Sequence, residues 1–456
     1  MGIKEDASAN QKKVQSDLAG ATVAGEQDAN LAENSLLNKL LRSELVNCTS
    51  DLEVLRQDPS SPLYSVKSFD ALNLKPEILK GVYLMGFNAP SKIQETALPS
   101  LLAEPPQNMI AQSQSGTGKT AAFVLTMLSR VNTSLNHPQC LCVVPTFELA
   151  LQIGHVVEQM SKCMTSLRIM YSVKGGHSVS RGQLIDAHIV IGTPGTTLDW
   201  STKLKVFDLK KIRVFVLDEA DIMMDIQGLR DQSIRLQRRL SKDNCQMLLF
   251  SATYNSPIMQ FAQAVVPNPL VIRLKREEES LHNIKQYFIR CANLQEKFHA
   301  LSNIYGAISI GQSMIFCHTR NTANWLAERM VKQGHAVGIL HGELSVGERA
   351  VAIQRFRSAK EKVLITTNVS ARGIDVAQVT IVVNFDLPVN KKGEAGCETY
   401  LHRIGRTGRF GNRGLAINMV DGPRSLATLQ SIESHFGRCI QELDPNDIDQ
   451  VEALEE

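Results

Sequence analysis

From about residue 66 to 272, short apolar runs rich in β-branched residues alternate with stretches whose apolar positions recur every three to four residues. Continuous apolar runs at Cys140–Val144, Ile189–Ile191, Val214–Leu217 and Met247–Phe250 predict strands buried on both faces. Helical stretches between them predict crossover connections, hence a parallel sheet with helices on both sides. Segment 274–283 (LKREEESLHN) is charged and carries almost no strand signal, so it predicts a linker. A second series follows at Ser313–Cys317, Val337–Leu340, Val363–Thr366, Ile381–Asn384 and Leu415–Val420. The pattern therefore predicts an α/β protein of two tandem domains, 66–273 and 284–456, behind an N-terminal extension of residues 1–65. In the extension, Leu36, Leu37, Leu40, Leu41 and Leu45 form one narrow helical stripe, which predicts a helix at 35–46. That stripe suits either permanent packing or reversible docking.

Composition fits this picture. The 456 residues are 43% hydrophobic and 21% charged, as expected of a folded chain. No apolar run approaches the ~20 residues of a membrane span, so no membrane role is expected. The nine cysteines are scattered without a CxxC pair, which points to neither zinc nor a disulfide framework. The net charge of +3 argues at first against a polyanionic partner, but the charge is unevenly distributed. Residues 1–64 carry 6 basic and 10 acidic side chains and residues 437–456 carry 1 and 7, leaving 42 basic against 29 acidic, +13, in the middle. A basic body between acidic ends suits a phosphate-backbone binder.

Candidate chemistry begins at 113–120, SQSGTGKT, placed between a strand and an Ala-rich helix start. Gly116 and Gly118 let backbone N–H groups converge on phosphate oxygens, with Ser115 and Thr117 completing the turn. Lys119 is positioned to reach the β/γ-phosphates and Thr120 to offer a hydroxyl to Mg²⁺, so the expected ligand is ATP with Mg²⁺. About one hundred residues on, a buried-type strand ends in Asp218-Glu219-Ala220-Asp221. A carboxylate there suits metal binding by Asp218 and proton acceptance from a water by Glu219. The second domain has no GKT; its basic cluster is His402-Arg403-Ile404-Gly405-Arg406-Thr407-Gly408-Arg409. Arg406 and Arg409, three apart and so expected on one face of a helical turn, suit a γ-phosphate whose charge grows during transfer.

Together these motifs resemble the DEAD-box ATP-dependent RNA helicases, in family order over about 66 to 436. The resemblance implies two RecA-like domains and RNA-stimulated ATP hydrolysis at the cleft between them. It implies adenine recognition by Gln94 with Phe87 packing on the base, and ribose contact by Asp375 beside Gly373. Ser251 and Thr253 of SAT, with His402, are implied to couple the domains. RNA contacts are implied at Pro145, Thr146, Gly175, Gly176, Thr193 and Pro194 in the first domain. In the second they are implied at His318, Arg320, Gly342, Arg349 and Thr367. Contacts of small residues and backbone to phosphates would be sequence-independent, and contacts to 2′-OH would select RNA. Three positions depart from the family: Phe147 and Thr196 stand where Arg is usual, and Val346 where Gln is usual.

PTFELA, TPGT, NKKGEAGCETY, SLLNKLLRSELV and DPSSPLYSVKSF are similar to one branch, that of helicases acting in mRNA export at the nuclear pore. The resemblance implies that the 35–46 helix restrains the enzyme until RNA binds. It implies single-stranded RNA in mRNPs as substrate, with a nucleoporin of the cytoplasmic filaments and an mRNA-export activator used with inositol hexakisphosphate as partners. It further implies a monomer in cytoplasm and nucleus, at the cytoplasmic face of the pore. Local unwinding or protein displacement is the leading expectation. An ATP-gated RNA clamp with little turnover, and a DNA helicase, are the alternatives.

Overall fold

The structure is a computed structural model that describes residues 52–55, 65–112, 117–274, 283–367, 379–390, 392–408 and 413–454. The expected helix at 35–46 and nearly all of the expected linker lie outside these residues. No helix among the described residues is long and apolar enough to cross a membrane.

Two sheets form two lobes. Lobe one holds β1 (Leu52–Leu55), β2 (Met109–Gln112), β3 (Cys140–Val143), β4 (Ile169–Ser172), β5 (Ile189–Gly192), β6 (Val214–Leu217), β7 (Gln246–Ser251) and β8 (Leu270–Leu274). Their order is β1-β8-β2-β7-β6-β3-β5-β4, all parallel except β1, which pairs antiparallel with β8. Residues 52–55, read from sequence as part of an extension, thus belong to the sheet of lobe one. Four residues are too short for a clear period-two signal. Lobe two holds β9 (Ile284–Arg290), β10 (Gln312–Cys317), β11 (Val337–Leu340), β12 (Val363–Thr367), β13 (Val379–Asn384), β14 (Gly414–Val420) and β15 (Gln441–Glu442). Its seven strands run in the order β11-β12-β10-β13-β14-β9-β15, all parallel.

Alternation explains why the strand sequences look uniformly apolar. In β3, Cys140 and Cys142 face one core of lobe one while Leu141 and Val143 face the other. In β6, Val214 and Val216 likewise oppose Phe215 and Leu217. Each fully buried side chain of this size contributes about 1.5–3 kcal/mol, so both faces must be covered by helices. Phe69 is 1% exposed inside the first of these cores.

This order decides where chemistry can occur. β2, β7, β6, β3 and β5 are consecutive neighbours. Their carboxyl ends lead into the 113–120 segment, Ser251–Thr253, Asp218–Asp221, Pro145–Thr146 and Thr193–Pro194 respectively. In lobe two, β11, β12 and β10 are neighbours whose ends carry Gly342, Thr367 and His318. Crevices at the carboxyl ends of parallel strands are where such sheets take ligands.

Candidate active site

The Lys119–Arg130 helix starts at Gly118, whose φ of 96° is left-handed. A Cβ there would lie 2.5 Å from Gln94 Nε2, so only glycine lets the loop meet Gln94 this closely. Gln94 is 2% exposed; its Nε2 donates to the Gly118 carbonyl (2.9 Å) and its Oε1 accepts from Ser91 N–H (3.0 Å). The glutamine expected to read adenine therefore also joins the start of the Lys92–Leu102 helix to the phosphate loop. Phe87 packs half-buried against the core of lobe one. Thr117, Gly118 and Thr120 are half-buried at the same mouth, whereas Ser115 and Gly116 lie outside the described residues.

Four charged side chains are buried together at this mouth. Lys119 Nζ lies 3.0 Å from Glu219 Oε1 and 3.5 Å from Asp218 Oδ1. Burial opposes the lysine's charge, but Asp218, Glu219 and Asp221 outweigh it and raise its pKa. Asp218 is pushed up to about 6, chiefly by burial, against the pull of Lys119. Glu219 is lowered despite burial because Lys119, His402 and Arg406 surround it. Its backbone has φ 54° and ψ 54°, a left-handed geometry costly for a non-glycine residue. That geometry accompanies a carboxylate whose Oε2 is buried without a hydrogen-bond partner, an arrangement that favours a bound water or ligand.

Asp221, to which the sequence reading gave no role, is the junction of the site. Its Oδ2 accepts from Thr253 N–H (3.3 Å) and Thr253 Oγ1 (3.1 Å), and lies 2.9 Å from His402 Nε2 of lobe two. Its Oδ1 accepts from Ile222 N–H at 2.9 Å. Burial opposes its ionisation, yet His402 and Lys119 hold its pKa low. Ligand atoms of Glu219, Asp221 and His402 come within 4.8 Å of one another. Asp221 already makes four polar contacts with three residues, so this cluster works as a clasp between lobes. Ser251 is fully buried at the end of β7. The signal for Asp221 was present in the acidic tetrapeptide, but strand alternation cannot say which of its three carboxylates turns toward another domain.

The Cys397–Ile404 helix delivers His402 and ends at Gly405. Arg406 therefore lies beyond the helix, in a turn where its N–H reaches the Arg403 carbonyl (3.1 Å), and not on the helical face expected from spacing. It is 2% exposed, with Nε donating to His402 O at 2.9 Å. Arg403 has a different task. Its Nη1 donates to Asn384 Oδ1 (2.8 Å) and Asp386 O (2.6 Å), and its guanidinium stacks 4.9 Å from the Phe316 ring. Arg409, Gly373 and Asp375 lie outside the described residues.

Away from the phosphate loop, the lobes meet through the Phe147–Met160 and Val346–Arg357 helices. Arg349 Nη1 lies 2.9 Å from Oε1 of the buried Glu148, and Arg357 Nη2 donates to Gln152 Oε1 at 2.9 Å. Arg349 thus has its guanidinium on the opposite lobe. Gln152 and Arg357 escaped the sequence reading, although Glu148 and Gln152 at i and i+4 share a helix face. Val346 faces Gly175 closely enough that a Cβ there would lie 3.6 Å from its Cγ2. Phe147 packs half-buried on the core of lobe one, an apolar role that an arginine would not fill. Nothing in the structure explains Thr196.

Thr146 caps the Phe147–Met160 helix, accepting from Leu149 N–H, with Pro145 buried before it. Thr193 and Pro194 start the Pro194–Asp199 helix, and Gly175 (φ 76°) and Gly176 are exposed. In lobe two, His318, Arg320, Gly342 and Thr367, 49 residues apart at their extremes, line one cleft of about 560 Å³.

The DEAD/DEAH box helicase family model matches residues 91–261, and the helicase conserved C-terminal domain matches 296–411. The chain is 62% identical over 429 residues to the ATP-dependent RNA helicase DDX19A of Bos taurus, covering 94% of this chain and 89% of that protein. Saccharomyces cerevisiae Dbp5 bound to RNA and ADP BeF3 matches with TM-score 0.80 and 49% identity, over 85% of this chain and 98% of that one. A variant of the same yeast protein bound to Nup159, Gle1, IP6 and ADP matches with TM-score 0.62 and 46% identity, over 84% and 98%.

Proposed function

The chain belongs to the DEAD-box ATP-dependent RNA helicases, and from that premise we propose that it remodels RNA–protein complexes by closing its two lobes on ATP and single-stranded RNA. Its activity class is RNA-stimulated ATP hydrolysis. The observation that carries the proposal is the clasp of Asp221 with Thr253 and His402, which joins the hydrolytic carboxylates of lobe one to Arg406 of lobe two.

In this reading, ATP replaces the ion pairs of Lys119, and Lys119 with the N–H groups of the phosphate loop takes the phosphates. Gln94 and Phe87 hold the adenine; Gly373 and Asp375 hold the ribose. Thr120 and Asp218 fit Mg²⁺: a hydroxyl and a carboxylate are the hard oxygen donors it takes, and Asp218, costly to ionise while buried, gains from a cation. Bound Mg²⁺ would supply charge neutralisation at the phosphates. Glu219 takes the proton of the attacking water. Arg406 and Arg409 stabilise charge on the γ-phosphate, an arrangement that contributes about 10³–10⁵ in rate elsewhere. Pro145, Thr146, Gly175, Gly176, Thr193 and Pro194 contact the RNA backbone in lobe one, and the His318–Arg320–Gly342–Thr367 cleft with Arg349 does so in lobe two. Ser251 and Thr253 with His402 link hydrolysis to lobe movement.

The similarity to DDX19A and to Dbp5 bound to Nup159, Gle1 and IP6 supports a place in mRNA export. The partners would be a nucleoporin of the cytoplasmic filaments and an export activator used with inositol hexakisphosphate, met at the cytoplasmic face of the pore. The test pairs RNA-stimulated ATPase with displacement of a protein from single-stranded RNA. Displacement that requires hydrolysis supports the proposal; RNA held on ATP binding, with little turnover, would make the chain a clamp instead. Binding to the nucleoporin separately tests the export role.

A further inference from the structure

Two clefts of lobe two meet at His318. The first is the cleft with Arg320, Gly342 and Thr367. The second, about 760 Å³, runs between residues 392–395 and the Pro423–Phe436 helix, and His318 lines it as well. His318 is fixed at this junction. Its N–H donates to Asp386 Oδ2 at 2.8 Å and its Nε2 lies 2.6 Å from Leu387 O.

The charge balance of the second cleft depends on Lys297. This lysine is 2% exposed and reaches Asp386 Oδ1 (3.1 Å), Asp421 Oδ2 (2.7 Å) and Phe385 O (2.7 Å). Lys297 therefore bridges two of the cleft's three acids from beneath and offsets one of their two charges. The third, Glu394, is exposed and accepts from Asn390 Nδ2 at 2.8 Å. Lys392 and Arg424, both exposed in the cleft, have no acidic partner among the described residues. A groove that shares His318 with the first cleft, with an acid pair held down by Lys297 at its floor and two exposed cations, Lys392 and Arg424, at its rim, suits a phosphodiester chain through those two cations.

We propose that this second cleft extends the RNA track, with Lys392 and Arg424 taking phosphates of nucleotides beyond those held beside Arg320, Gly342 and Thr367. The proposal rests on the reading that the first cleft binds RNA. Uridylate contacts both clefts only if long enough, so length separates them.

The experiment compares the full chain with its Lys392→Ala/Arg424→Ala variant, measuring affinity for a uridylate hexamer and a dodecamer with a non-hydrolysable ATP analogue across a salt series. Both changes are on exposed side chains, and the thermal midpoint checks that folding is intact. The dodecamer should bind about tenfold more weakly, and the slope of log affinity against log salt should fall by about 0.7 per lost phosphate. The hexamer should stay within about twofold. An unchanged dodecamer, or equal weakening of both lengths, overturns the extended track. Arg320→Ala should weaken both lengths; if it weakens neither, the first-cleft reading itself fails, independently of the double variant.

Discussion

His402 of lobe two reaches across the cleft to place its Nε2 2.9 Å from Oδ2 of Asp221, the same oxygen that accepts both hydrogen bonds of Thr253. Contact between the lobes thus runs through Asp221, two residues beyond Glu219 on the same turn. His402→Ala should lower RNA-stimulated turnover about 100-fold, since a closed state would leave a buried carboxylate short of its partner. ATP binding should be nearly unchanged. Asp221→Asn should cost a similar amount, and the double variant should cost little more than either single one. Steady-state ATPase alongside nucleotide binding checks this; additive losses would separate the two residues.

Glu219→Gln keeps the shape of the side chain and removes the proton acceptor. Turnover should fall by at least about 100-fold while ATP and RNA stay bound. Single-turnover hydrolysis together with RNA retention makes the measurement; wild-type turnover would remove Glu219 from its assigned role.

Asp218 gives a pH dependence with a definite sign. Its carboxyl is raised to about 6 by burial, so below that pH it holds a proton that a metal must displace. Nucleotide affinity in the presence of Mg²⁺ should therefore weaken as pH falls through about 6. Without Mg²⁺ this step should vanish, as it should in Asp218→Asn. Nucleotide titrations at pH values on either side, with and without the metal, decide the matter.

The second seam predicts a different kinetic signature. Arg349→Ala leaves Glu148 buried without its cation in the closed arrangement, which costs about 3–5 kcal/mol when burial is retained. The lobes should respond by opening, so the RNA concentration for half-maximal ATPase should rise steeply with turnover at saturating RNA within about twofold. The Gln152/Arg357 pair should show a coupling of about 0.5–3 kcal/mol in a double-mutant cycle read on the same quantity.

The sequence was most legible where one period controls the outcome. Runs such as Val214–Leu217 announced strands because both faces must be apolar in a covered parallel sheet. Lys119, Asp218 and Glu219 were legible as candidates from a glycine-rich turn and an acidic strand end, and the structure places both carboxylates within 3.5 Å of the lysine. Contacts between lobes were hidden: Asp221, Gln152 and Arg357 acquire partners 181 and 205 residues away, and no local spacing encodes such a pairing. Arg403 and Arg406 show the same limit at short range. Three positions apart, one is stacked on Phe316 inside the lobe and the other faces Glu219, because the helix stops at Ile404.

β1 has a practical consequence for anyone who shortens the chain. It is the antiparallel closing strand on β8, which would otherwise be the open side of an all-parallel sheet. A chain begun at residue 66, the boundary that the composition suggests, would leave a row of unpaired N–H and C=O groups along β8. Such a row invites pairing with a second molecule. Shortened forms that keep residues 52–55 should remain monodisperse where those beginning at 66 self-associate.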